Sequence, residues 1–282
     1  MKPSQARIAI ALAVVIATSS GCGVVNRIRA KNELNEAART YREGHFVEAE
    51  AHARKALDLD PNNKTAPLFI ARTVHAQYRT GVNTPENIAK AREAIEAYRK
   101  ILESDPTNEE AYKAIAFLYE KIKEDEKLRD WIIARANDSR VEADKRAEAY
   151  IVLASKDWNC SFQITDLPSN KITTVTEGRA TVSYKKPNQK DFDTAQMCVK
   201  RGLEEVENAI KFDPNSESAW SYKTNLLLEA AKLAEMEGKM DRKVELDKQR
   251  EAAQKRTTEL SEANKKRLAE EEAKKAPSPP TS

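Results

Sequence analysis

Three short stretches decide the fold: Asp58-Leu59-Asp60-Pro61-Asn62-Asn63, Glu103-Ser104-Asp105-Pro106-Thr107-Asn108 and Lys211-Phe212-Asp213-Pro214-Asn215-Ser216. Proline cannot continue a helix, because it lacks the N–H and clashes with the preceding turn. It also drives the residue before it out of the α region. Each stretch follows residues of helical period and precedes more of them. Each therefore reads as a helix stop followed at once by a helix start.

Working outward, the segment before Pro61 holds Ala49, Ala53 and Ala56 at helical spacing. The segment before Pro106 holds Ala94, Tyr98 and Ile101, and the segment before Pro214 holds Gly202, Val206 and Ala209. The intervening starts carry Tyr112, Ile115, Ala116 and Tyr119 after Pro106, and Trp220, Leu227 and Leu228 after Pro214. Helices are expected over 66–79, 86–103, 126–137, 143–156, 192–212 and 217–236.

This pattern is similar to the tetratricopeptide repeat family, whose unit is two antiparallel helices in about 34 residues. The segment 30–63 fits one unit, with Ala37 at the usual Gly position and Phe46 after the Gly44-His45 turn. Glu33 and Glu36 depart from its apolar positions, as Lys223 and Thr224 do in the last repeat. The resemblance implies an all-α solenoid of four to five helix pairs over 30–238. Extra length enters at Thr80-Gly81-Val82-Asn83-Thr84-Pro85, and again over about 158–191. In the second insertion the Thr/Val-rich runs 172–176 and 180–184 flank Glu177-Gly178-Arg179, the signature of a hairpin.

Composition agrees. The 282 residues include only 7 Gly, and aromatics are 6%. A sandwich or barrel needs many turns, and nucleotide-binding folds need glycine clusters; neither is present. Charged residues are 33%, yet the net charge is +3, giving no reason to expect nucleic acid. Much of that charge sits in 239–275, which reads as one long charged helix with Glu251/Lys255 and Glu262/Lys266 pairs. Its first turns are expected to cap the solenoid and the rest to be solvated. The Pro/Ser-rich end, 276–282, reads as a disordered tail.

The chain opens with Lys2 and Arg7, then an apolar run over 8–18, then Ser19-Ser20-Gly21-Cys22. A basic start, a short apolar stretch and small residues before a cleavage point make an export signal, here 1–21. The run is too short for the roughly 20 residues a membrane span takes. The ending resembles a bacterial lipoprotein signal, although Ser19 stands where that family usually has Leu. The resemblance implies lipidation of Cys22, a short tether over 22–29 and a periplasm-facing body. With Gly23 rather than Asp after the cysteine, it implies the outer membrane. An uncleaved anchor and plain secretion are the alternatives. Cleavage also removes Lys2 and Arg7, taking the net charge from +3 to +1. Lipidation of Cys22 leaves Cys160 and Cys198. In an oxidising compartment that pair suggests a disulfide, with two buried thiols as the alternative.

Three His and no HExxH, CxxC or Gly-x-Ser-x-Gly pattern speak against an enzyme, a metal site or a cofactor. The acids Glu204/Glu205 read as a solvated face. The family's groove-facing positions, carried onto this chain, are Leu34, Ala38, Tyr41, Arg42, Leu68, Arg72, His75, Lys113, Phe117 and Glu120. What the resemblance implies is a lipid-anchored scaffold that binds a protein or peptide partner through that groove. The alternative is a structural subunit of an outer-membrane, pilus or export assembly machine.

Overall fold

The computed structural model describes the backbone of residues 3–176 and 178–275, and side chains from 23 to 274 except 176, 177 and 179. The expected tail 276–282 and the side chains of the expected leader, Cys22 included, lie outside the described residues. Described residues form ten α-helices, one 3-10 turn and one two-stranded sheet. The chain divides into two compact units, Met1–Leu128 and Arg129–Ser282.

The first unit holds α1 (Pro3–Arg42), α2 (Phe46–Leu59), α3 (Ala66–Gln77), α4 (Pro85–Ser104) and α5 (Glu109–Lys121); α6 (Asp125–Asn137) crosses the boundary. Consecutive helices pack on one another through small residues: Ala49, Ala53 and Ala56 of α2 and Ala91 and Ala94 of α4 are buried. Alanine lets helix axes approach closely, so the low Gly count has a structural counterpart here. Among the described side chains of α1 the first that is buried is Ala30; residues 23–29, within the expected tether, are helical and mostly exposed. Glu33, out of place in an apolar pattern, accepts from His52 at 2.7 Å and pairs with Lys55 at 2.6 Å, tying α1 to α2. Those two partners hold its carboxyl below the usual range, Lys55 contributing most.

The second unit holds α7 (Ala143–Thr165), strands β1 (Lys171–Thr176) and β2 (Arg179–Tyr184), α8 (Gln189–Phe212), α9 (Glu217–Met236) and α10 (Met240–Lys275). The strands pair antiparallel, Lys171 opposite Tyr184 and Thr176 opposite Arg179, which is the expected hairpin. Helix α7 runs past its expected end at Lys156 to Thr165. Cys160 is therefore inside a helix rather than at the mouth of an insertion. Its disulfide with Cys198 joins α7 to α8, with Cα atoms 6.1 Å apart. Only the hairpin and its flanks lie outside the helix pair. Gly202 marks the closest approach: a Cβ there would stand 2.7 Å from Leu226 of α9 and 3.3 Å from the Cβ of Asp157 of α7.

The three Asp-Pro stops share one geometry. Asp60, Asp105 and Asp213 have φ/ψ of −136/85°, −135/82° and −136/89°, and each donates its N–H to the carbonyl four residues back. Three residues later Asn63, Asn108 and Ser216 accept from the next helix at Ala66, Ala111 and Ala219. A side-chain oxygen there satisfies one of the orphan donors of a helix start. A second repeated turn closes α1, α5 and α9. Gly44, Lys123 and Gly238 have φ of 83°, 58° and 72°. The N–H after each reaches back to Thr40, Tyr119 and Ala234. This six-to-one bond needs a left-handed residue, and lysine fills that role once. Two turn types recurring in order make the architecture a tetratricopeptide-like series of helix pairs.

Helix α10 departs from expectation. Leu246, Ala253 and Leu260, seven residues apart in turn, are all buried. Leu246 and Ala253 pack with Leu227, Ala231 and Ala234 of α9. Asn264 still reaches Glu217 at 3.1 Å. So α10 covers α9 over most of its length, not only in its first turns. A single apolar residue per heptad is enough where the partner helix presents alanines.

Candidate functional site

In the first unit the leading helices of successive pairs, α1, α3 and α5, present a shared face. Tyr41 of α1 lies 5.2 Å from Phe46 and 5.8 Å from Phe69 of α3, ring to ring. His75 of α3 lies 5.7 Å from Phe117 of α5 and 5.9 Å from Tyr98 of α4. Phe117 is 40% exposed, the most open ring of the row. Lys121 Nζ sits over the same ring, 5.1 Å from its centroid. Between the two ring clusters, Arg72 donates from Nε and Nη2 to the two carboxylate oxygens of Glu110, both at 2.5 Å.

The electrostatics follow from these contacts. The Glu110 hydrogen bonds raise the Arg72 guanidinium's affinity for its proton and hold the Glu110 carboxyl below the usual range. Such a bidentate pair leaves little free charge to attract a ligand carboxylate. Burial keeps His75 below the ordinary histidine range, so it is neutral at pH 7. Burial also pushes the Tyr98 hydroxyl well up. The face therefore offers rings and neutral polar atoms rather than net charge.

Of the positions carried over from the family, Tyr41, Arg72, His75 and Phe117 come together along this face. Arg42 is exposed at the end of α1. Leu68 is half-buried on α3. Lys113 and Glu120 are exposed, facing Glu109 at 3.8 Å and Lys121 at 2.9 Å. Leu34 packs with Ala30, Ala56 and Ala66, so it belongs to the core. Phe69 and Glu110 join the face although they are not among the positions the resemblance implies. The signal for Glu110 was its place in the repeat: it opens the helix one pair after that of Arg72. No cluster of three metal-ligating side chains occurs among the described residues.

The second unit has a polar core that sequence reading did not foresee. Glu229 of α9 is fully buried and Lys232 is 5% exposed. Glu229 accepts from Ser161 at 2.9 Å, Thr165 at 2.6 Å and Lys232 at 2.6 Å. Nearby, Glu235 accepts from the backbone of Tyr184 at 3.1 Å, which fastens the hairpin to α9. Glu205, expected on a solvated face, is buried beside Asp157. Arg129 pairs with both, and Arg201 pairs with Asp157 at 2.6 Å. Burial and the neighbouring Asp157 push the Glu205 carboxyl above the usual range. Glu229, Lys232, Asp157 and Glu205 are buried, and these pairs act as structural ties.

No family model matches the chain, and no curated protein does. Among solved structures it is similar to MamA 41-end from Desulfovibrio magneticus RS-1, at 16% identity over 83% of this chain and 96% of that one, with a TM-score of 0.38. It is also similar to PilF of Pseudomonas aeruginosa, at 14% identity over 86% and 99%, TM-score 0.34. A tetratricopeptide repeat protein of Parabacteroides merdae matches at 13% identity over 82% and 97%, TM-score 0.34. These likenesses are distant, and the fold assignment rests on the helix pairs and their two repeated turns.

Proposed function

We propose that this chain is a non-enzymatic scaffold that binds a segment of another protein on the α1/α3/α5 face, held at an envelope membrane by a lipid on Cys22. The observation that carries the binding role is the row Tyr41, Phe69, His75 and Phe117 with an Arg72–Glu110 pair set between. Aromatic side chains with an exposed face and a polar tip are the usual anchors of protein interfaces. With its guanidinium already neutralised, the face selects apolar or aromatic side chains of a partner over a free carboxylate.

Photocrosslinking tests this reading. A benzophenone side chain at Phe117 should trap a discrete partner, and one at Arg54 on α2 should not. Equal yields at both positions would remove the face from the argument. For the anchor, Cys22→Ser should release the chain from the membrane fraction; full retention would favour an uncleaved leader instead.

A further inference from the structure

One exposed apolar stripe is left unexplained by either the core or the aromatic face. Val24, Val25 and Ile28 of α1 are 57%, 46% and 57% exposed. At 3.6 residues per turn they span about 100° of the helix surface. Ala30 and Ala37, both fully buried, lie on the opposite side of the axis. The stripe therefore points directly away from the helix that α1 packs against. It is flanked by Arg27 and Lys31 on one side and Arg29 on the other, all exposed. No acid occurs before Glu33. Further along, the same outward line is Asn32, Asn35 and Arg39, so the apolar character is confined to the end nearest Cys22.

We propose that residues 23–31 form an interfacial helix that lies against an anionic lipid surface. Val24, Val25 and Ile28 enter the boundary between headgroups and acyl chains, and Arg27, Arg29 and Lys31 meet the lipid phosphates. An apolar stripe edged by basic side chains is the pattern of a helix lying in the headgroup plane. Basic residues beside such a surface add attraction that decays within a Debye length. Charge complementarity selects this occupant: a second copy would bring the same three cations against them. Ile28 is about 9 Å along the helix from Cys22, within reach of the surface that would hold Cys22. The proposal rests on the reading that a bilayer lies at Cys22, whether through an acyl chain or a retained leader. It adds an orientation, because a helix pinned along this stripe turns its Ala30/Ala37 side, and the helix packed there, away from the lipid.

The test uses the full chain in a Cys22→Ala background, where Cys160 and Cys198 are tied up in their disulfide. Single nitroxide labels are placed by Val24→Cys, Val25→Cys, Ile28→Cys and, as control, Asn35→Cys. Collisional access to oxygen and to a water-soluble nickel chelate is then read on phosphatidylglycerol-containing vesicles. Labels at 24, 25 and 28 should lose most of their nickel access while the label at 35 keeps it. Replacing Arg27, Arg29 and Lys31 with Gln should restore nickel access at all three. Bound chain with all labels in water overturns the interfacial helix alone. Labels shielded equally without vesicles show a protein contact and overturn it too. A chain that does not sediment with vesicles overturns the interfacial helix and leaves the lipid on Cys22 untouched, because this background carries none.

Discussion

The buried Glu229–Lys232 pair gives the sharpest test of the second unit's energetics. Glu229→Ala removes the carboxylate that pairs with the Lys232 ammonium, which is 5% exposed. Removing one partner of a buried pair typically costs about 3–5 kcal/mol, because the other charge stays behind. The Ser161 and Thr165 hydroxyls can turn to carbonyls of their own helix, so they add little. Lys232 retains the Phe162 and Tyr184 rings at 5.3 and 5.1 Å, which offset part of the loss. The cost should thus fall near the lower end, about 3 kcal/mol. With a urea slope of about 1–3 kcal/mol per molar, the unfolding midpoint of this unit should drop by roughly 1–3 M. The double variant Glu229→Met/Lys232→Met leaves no stranded charge and should sit within about 1 kcal/mol of the parent, or above it. Urea titration followed by circular dichroism of the parent, Glu229→Met, Lys232→Met and the double variant reads all four corners of that cycle. If the double variant loses as much as the two single variants summed, the pair is not coupled and the reasoning fails.

Three further outcomes are expected. Replacing Cys160 and Cys198 with Ser should lower stability by at most about 4 kcal/mol, the chain-entropy value for a separation of 38 residues; equal urea midpoints with and without reductant would contradict this. Lys123→Gly relieves a left-handed lysine at φ 58° and should stabilise by about 1 kcal/mol; a lower melting temperature would show that the lysine side chain matters there. The Glu205 carboxyl is raised in the folded state, so its contribution is fully present below its ordinary value near 4.5 and is lost as pH rises through the folded value. Stability of the second unit should fall from pH 4.5 upward, and Glu205→Gln should flatten that slope in pH-dependent urea titrations.

Much of the helix order was legible because its signals are local. Asp-Pro followed by Asn or Ser three residues on is a stop and a cap that act within a few bonds. Most expected helix limits therefore lie within a residue or two of those observed. The hairpin was legible for the same reason, with Gly178 supplying the positive φ its turn needs. The start of α8 came three residues early, at the Asn188 cap, and the largest miss was the end of α7, where punctuation is absent. Nothing in the residues after Lys156 stops α7, and it runs on until Leu167-Pro168.

Four of the residues carried over to the candidate face, Tyr41, Arg72, His75 and Phe117, converge on it. Their chemistry was not legible. Arg72 entered only as a groove-facing position, and only the fold sets Glu110 against it from the next helix pair. Glu205 reads as surface beside Glu204, and only packing against α7 buries it next to Asp157. Local sequence determined where most of these helices begin and end, because capping and proline sterics act over a few residues. The tertiary structure alone decided which charges are spent on one another and which side chains are left to the outside. Those depend on contacts between residues tens of positions apart, and no local pattern records them.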